Sequence, residues 1–229
     1  MLLGAIINGL AIIIGSLIGK GIKKMSESTI NSIMQGVALV VIVMGIGMTL
    51  KSDRILLMLI SLVVGGILGS LLRIQKRLED WSQSIEKRLK SKGEFANSFV
   101  TGILVFIIGP MAILGGLSSG LENNHQILFT KSLLDGFTSI IFTSTLGIGV
   151  LFSAIPVFLY EGLISIGASW ITQGIEPKLL ETIIQQLTAV GGLLVIAIGL
   201  NILKIIQIPV ANYLPSLLLA VALAPYLVY

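Results

Sequence analysis

Long, nearly uninterrupted apolar stretches separated by short polar breaks run the length of the chain. Most are close to the ~20 residues that a helix needs to cross a bilayer. None has the ten-residue alternation of a membrane barrel, so helices are expected. The breaks place eight spans at 2–19, 30–50, 55–74, 97–117, 128–146, 149–172, 180–203 and 209–227. Ser26, Ser28 and Thr29 supply capping groups ahead of the second span. Gly109-Pro110 interrupts the fourth span, Pro156 falls within the sixth, and Pro215 lies near the start of the eighth. The weakest break is Gly147-Ile148-Gly149, where no charge marks a water-facing loop. Seven spans plus a re-entrant pair of half-helices is the alternative there.

One polar segment is sustained, from Arg73 to Glu94. Within it Leu78, Trp81, Ile85 and Leu89 recur at helical spacing, and Glu86 and Lys90 can pair one turn apart. An amphipathic helix over 75–92 is expected to lie in the cytoplasmic interface with Trp81 as its anchor. A partner-binding helix is the other use of such a segment.

The chain also repeats itself. NGLAIIIGSLIGKGI at 8–22 aligns with EGLISIGASWITQGI at 161–175, and the same offset matches Thr29 with Thr182 and Ile30 with Ile183. That gives nine identities in 23 positions, including Gly9/Gly162, Ser16/Ser169 and Gly21/Gly174. One added residue then aligns LVVIVMG at 39–45 with LLVIAIG at 193–199. Spans 1–3 thus equate with spans 6–8. The five-span offset is odd, so the copies would cross the membrane in opposite directions, as in many secondary transporters. The expected architecture is an all-α polytopic membrane protein with one transmembrane domain over 1–229. It comprises repeat 1 (1–74), the interfacial helix (75–92), central helices (97–146) and repeat 2 (149–229).

Composition agrees with this pattern. Of 229 residues 55% are apolar and only 11% charged, and the mean hydropathy is +1.01. A soluble domain carries about 25% charged residues. The chain has no cysteine and one histidine, His125, which excludes disulfides, thiolate metal sites and cysteine nucleophiles. No metal, no cofactor and no enzymatic activity are expected. The +4 net charge follows the loops and does not point to nucleic acid. With the N-terminus outside, 11 of 15 Lys and Arg fall on the cytoplasmic side; Lys51, Arg54, Lys131 and Lys178 fall outside. That bias predicts the N-terminus outside. The N-terminal stretch lacks a charged leader region and a cleavage site, so it is expected to be a span.

Polar groups inside spans carry the functional expectations, because an ionisable side chain at the bilayer centre is costly. Glu161 lies mid-span, and its repeat partner Asn8 also precedes Gly-Leu. The two would approach each other if the repeat is real. Asp135 enters the fifth span one turn after Lys131, a possible i,i+4 pair. Thr138, Ser139, Thr143, Ser144 and Thr145 follow; they either line a hydrated path or bond backbone carbonyls and neighbouring helices. Gly109, Pro110 and Pro156 leave helix carbonyls free as candidate cation ligands. Gln185, Gln186, Thr188 and Asn201 suit interhelical bonding, and His125 suits a solvated loop. Gly15/Gly19 and Gly65/Gly69 have the spacing of close helix contacts, within the chain or in a homo-oligomer.

GPMAILGGLSSGL at 109–121 and TKSLLDGFTSIIFTSTLGIGVLFSAIPVFLYEG at 130–162 resemble the YdfK/YqgA-like family of uncharacterised bacterial inner-membrane proteins. So do NGLAIIIGSLIG, LTAVGGLLVIAIGLNIL and NYLPSLLLA, and the resemblance covers essentially the whole chain. It implies a polytopic inner-membrane protein and no catalytic residues. It also implies glutamine as a common occupant of position 161, which fits a hydrogen-bonding role there and favours Asp135 as the ionisable candidate. The expected function is a secondary transporter or ion-coupled carrier of a small solute. An ion or small-solute channel, or a non-transport scaffold or sensor, are the alternatives. The expected partners are the lipid bilayer and a small solute or ion.

Overall fold

The structure, a computed structural model, describes residues 1–22, 27–80 and 95–227. Every regular element among them is helical. In chain order these are α1 (Leu3–Gly21), α2 (Glu27–Thr49), α3 (Ile55–Leu71), α4 (Ile74–Asp80), α5 (Phe95–Ile107) and α6 (Pro110–Leu121). Then follow α7 (Gln126–Leu146), α8 (Gly149–Phe152), α9 (Ala154–Gly174), α10 (Pro177–Ile202) and α11 (Pro215–Leu223). Short 3-10 turns at Val210–Tyr213 and Ala224–Leu227 flank α11. Lys23, Lys24, Ser26 and positions 81–94 of the amphipathic segment lie outside the described residues; α4 is its first part.

Four stretches are long and apolar enough to cross a membrane: Leu3–Gly21, Asn31–Thr49, Gly149–Gly174 and Pro177–Ile202. Two bent pairs bring the number to six if each is one span. They are α3 with α4, bent by 49°, and α5 with Met111–Leu121, bent by 57°. Of the eight expected spans, the fifth and eighth are the ones that fall short. α7 has 21 residues, but Lys131, Asp135 and its hydroxyls lower its apolarity. α11 has only nine.

The bends have local causes. Gly109 adopts φ +157° and Gly147 φ +111°, backbone conformations open chiefly to glycine. Gly109 ends α5 and lets Pro110 start α6, where a missing N–H costs no helical bond. Gly147 separates α7 from α8, so the weakly marked break is a real one. Pro156 sits in the first turn of α9, just after the interruption at Ser153. It cannot donate to the Phe152 carbonyl, and it breaks the stretch at its start instead of kinking it midway.

The chain divides into two compact units, Met1–Ile33 with Ser91–Ile175 and Met34–Lys90 with Glu176–Tyr229. In the first, α1 packs on α7 and α9, α6 on α9, and α5 on α8. The buried face of α1 is made of small residues: Gly4, Ala5, Asn8, Gly9, Gly15, Ser16 and Gly19, with Ile12 among them. A Cβ on Gly15 would collide with the Gly136 carbonyl and the Ser139 hydroxyl; one on Gly19 would collide with the Ile140 carbonyl. The absent side chains are what let α1 and α7 lie backbone to backbone.

In the second unit α3 packs on α11 and on the Val210–Tyr213 turn, and α10 packs on α11. Its core joins Leu57, Met58, Ala189, Val190 and Ala220. Gly65 meets Ser216 and Gly69 meets Asn212, so both glycine spacings noted in the sequence serve contacts within the chain. Ser52 and Gln186 bond each other side chain to side chain at 2.8 Å and 3.0 Å. Asn201 closes the turn after α10 through both backbone groups of Ile208 at 2.8 Å.

Candidate functional site

Three helices of the first unit bring four polar side chains together in its interior. Asn8 comes from α1, Lys131 and Asp135 from α7, and Glu161 from α9. Asn8 and Glu161 are 0% exposed, Lys131 6% and Asp135 7%. The Asn8 amide nitrogen donates to Glu161 Oε1 at 2.8 Å and to Asp135 Oδ2 at 3.0 Å. Both partners are carboxylate oxygens, so the NH2 end of the amide must face them. Lys131 is ion-paired with Asp135, and its Nζ lies 3.4 Å from Glu161 Oε1.

Helical spacing explains the convergence. On α7, Leu128, Lys131, Ser132, Asp135, Ser139, Phe142 and Thr143 form one buried face, while Leu133, Leu134, Phe137 and Ile141 are exposed. Lys131 and Asp135 are one turn apart on the buried face. Glu161 stands halfway along Gly149–Gly174. Gly116 of α6 packs against Ile164, one turn further along α9, and helps close the region off.

Electrostatically the group is unbalanced. One ammonium faces two carboxylates, which leaves one excess negative charge in a buried place if all three are ionised. Removing charge from water costs several kcal/mol per ion before pairing offsets it. The hydrogen-bond pattern is also incomplete: Asn8 Oδ1 and Glu161 Oε2 are buried with no partner.

Of the residues singled out in the sequence, Asn8, Asp135 and Glu161 are brought together. The approach of Asn8 to Glu161 is the one the repeat predicted. Lys131 is a functional candidate that sequence reasoning missed. It was assigned to an outer loop, yet it is buried and does not count toward loop charge. Its i,i+4 spacing from Asp135 was the available signal.

The hydroxyls of α7 mostly serve its own backbone. Ser139 donates to the Gly136 carbonyl at 2.8 Å, Ser144 to Ile141 at 2.8 Å and Thr145 to Ile141 at 2.7 Å. Ser139 and Thr143 continue the buried face beyond Asp135, and Thr143 Oγ1 has no partner, like Ser16 Oγ on α1. Thr138 and Ser144 are half-buried. Gly109 and Pro110 lie at the junction of α5 and α6, and Pro156 lies ~7.5 Å along α9 from Glu161. His125 is half-buried at the start of α7, its Nδ1 2.7 Å from Ser119 Oγ, and is more tightly held than a solvated loop residue. Among the described residues no group of three or more His, Asp or Glu is arranged as metal ligands.

Comparison with known proteins agrees with an uncharacterised membrane family. A protein named "Uncharacterized membrane protein YdfK" from Bacillus subtilis (strain 168) is 33% identical over 221 residues, 94% of this chain and 93% of its own. One named "Uncharacterized protein YqgA" from Escherichia coli (strain K12) is 29% identical over 231 residues, 98% and 97% of the two chains. No solved structure matches. The family described as "Protein of unknown function (DUF554)" matches residues 3–225, and the chain belongs to it.

Proposed function

We propose that the protein is an ion-coupled secondary carrier of a small solute in the bacterial cytoplasmic membrane. The observation that carries this reading is the buried Asn8–Lys131–Asp135–Glu161 cluster with its excess negative charge. Such a cluster is costly as a mere clamp between helices; an apolar contact would hold α1, α7 and α9 together at less cost. It becomes useful if an ion enters and leaves it.

The inverted repeat supports alternation between two conformations, and contacts in both units are consistent with it. Asn8 and Glu161 occupy equivalent positions of the two copies and bond directly. In the second unit a Cβ on Gly45 would lie 2.7 Å from the Gly192 carbonyl, and one on Gly199 would lie 3.1 Å from the Ala38 carbonyl. The repeat register equates Ala38 with Gly192 and Gly45 with Gly199. The first contact therefore maps onto the second when the copies are exchanged, as a two-fold axis requires. On this reading the chain has eight spans, the N-terminus is outside, and α1 and α9 flank the central site.

Purified protein in proteoliposomes tests the proposal. Imposed proton, sodium and potassium gradients are expected to give saturable, coupled flux in wild type, lost in Asp135→Asn. Ohmic, unsaturating flux would indicate a channel. No protein-dependent flux of any of these ions, in vesicles of verified tightness, would leave a structural role.

A further inference from the structure

The hydrogen-bond pattern of the cluster points to the identity of its ion. Asn8 gives its two N–H donors to Glu161 Oε1 and Asp135 Oδ2. Lys131 also bonds Asp135 Oδ2 and approaches Glu161 Oε1. The contacts of both donor groups thus converge on two oxygens. The two atoms left over, Asn8 Oδ1 and Glu161 Oε2, are both acceptors, so turning toward each other without a hydrogen gains nothing. They belong to the very pair of groups already joined by the Asn8 amide bond to Oε1.

We infer that Glu161 is a proton-binding site, and that its proton closes a two-bond ring with Asn8. The proton comes from water and forms an O–H bond at Glu161 Oε2. That O–H donates to Asn8 Oδ1, while Asn8 Nδ2 continues to donate to Glu161 Oε1. One proton partners both leftover oxygens and removes the excess charge; Asp135 remains a carboxylate paired with Lys131. On release the proton returns to water and the cluster carries one negative charge again. A buried water could offer two donors at the same place, but it would leave the charge uncompensated. An alkali ion would bring charge, but it would crowd the ammonium that already sits 3.4 Å from Oε1.

The charged groups facing Glu161 are few. From α7 they are Lys131 and Asp135. α5, α6 and α8 carry no ionisable residue, and α1 carries only Lys20 in its last turn. Tyr160 adjoins Glu161 on its own helix. Beside burial itself, Lys131 and Asp135 are therefore the charged groups that act on a proton at Glu161.

The inference rests on reading the cluster as an ion site, and infrared spectroscopy of the full-length protein tests it apart from transport. Wild type at neutral pH is expected to show the C=O stretch of one buried protonated carboxyl, shifted in deuterated water. Glu161→Gln replaces the O–H with an N–H, keeps the ring, folds, and loses the band. Lys131→Met removes the balancing cation and gains a second protonated carboxyl. A folded wild type without the band, or a band unchanged in Glu161→Gln, overturns the proposal. So does a missing band with stability raised by NaCl or KCl but not by choline chloride, which would put an alkali ion in the site. A protein that shows the Glu161 band but no coupled flux keeps the proton site and loses the carrier reading. Coupled flux without the band does the reverse.

Discussion

The two units bury polar groups in opposite ways. The first encloses two carboxylates, an ammonium and an amide between α1, α7 and α9. Among its described residues the second encloses neutral groups only: Ser52 and Gln186 bonded to each other, Ser61, Thr188 and Ser216 on helices, and an apolar core around Leu57 and Val190. Both use glycine to bring backbones close. The difference is one of charge: Ser61 Oγ is buried without a partner in the second unit as well, but only the first buries ionisable side chains among the described residues.

The largest expected effect removes half of the ion pair. Asp135→Ala leaves the Lys131 ammonium buried with only the more distant Glu161 as counter-charge, and should cost about 3–5 kcal/mol. Thermal unfolding in detergent measures it. Adding Lys131→Met to the same chain should recover part of the loss. A single variant as stable as wild type would mean that Lys131 reaches water and the first unit holds no buried charge.

Next come the close contacts of the second unit. Gly45→Ala pushes a methyl group into the Gly192 carbonyl and Ile196, at 2.7 Å each, and should cost about 1–3 kcal/mol. Gly47→Ala, two residues on in the same helix, meets nothing within 4 Å and should gain up to about 1 kcal/mol from helix propensity. Equal behaviour of the two variants would show that α2 and α10 are not in backbone contact there. Smaller still, Ser52→Ala removes both neutral bonds to Gln186, together worth about 0.5–1.5 kcal/mol in a membrane protein. A cost on the scale of Asp135→Ala would erase the contrast between the units.

Some of this was legible in the sequence and some was not, for physical reasons. The partnership of Asn8 with Glu161 was legible because both are polar side chains inside apolar runs, each followed by Gly-Leu, and the two are bonded. The break at Gly147 was only faintly legible, because two glycines and no charge mark it. Lys131 was hidden by the rule used to find topology, which treats every lysine near a span end as a loop charge. Only the partner one turn away, Asp135, argues against that. Of the eight expected spans, four to six are matched by helices long and apolar enough to cross a membrane. Hydropathy registers apolar length but does not see that the last helical stretch, Val210–Tyr226, mixes 3-10 turns with the nine residues of α11 and stays short of a span.

The smallest effect concerns Thr143, two turns beyond Asp135 on the buried face of α7. Its hydroxyl is buried without a partner, although Ser139 and Thr145 on the same helix bond backbone carbonyls. A buried hydroxyl left unbonded costs about 1–3 kcal/mol relative to one that is satisfied. Valine has the same shape and no such cost. Thr143→Val should therefore be neutral or more stable by up to about 1 kcal/mol, since its methyl fills the space of the hydroxyl. If Thr143 instead holds water on a path leading to Asp135, the variant should lose flux and keep its stability. A clear loss of stability would mean that the hydroxyl has a bonding partner in the folded protein, as those of Ser139 and Thr145 do.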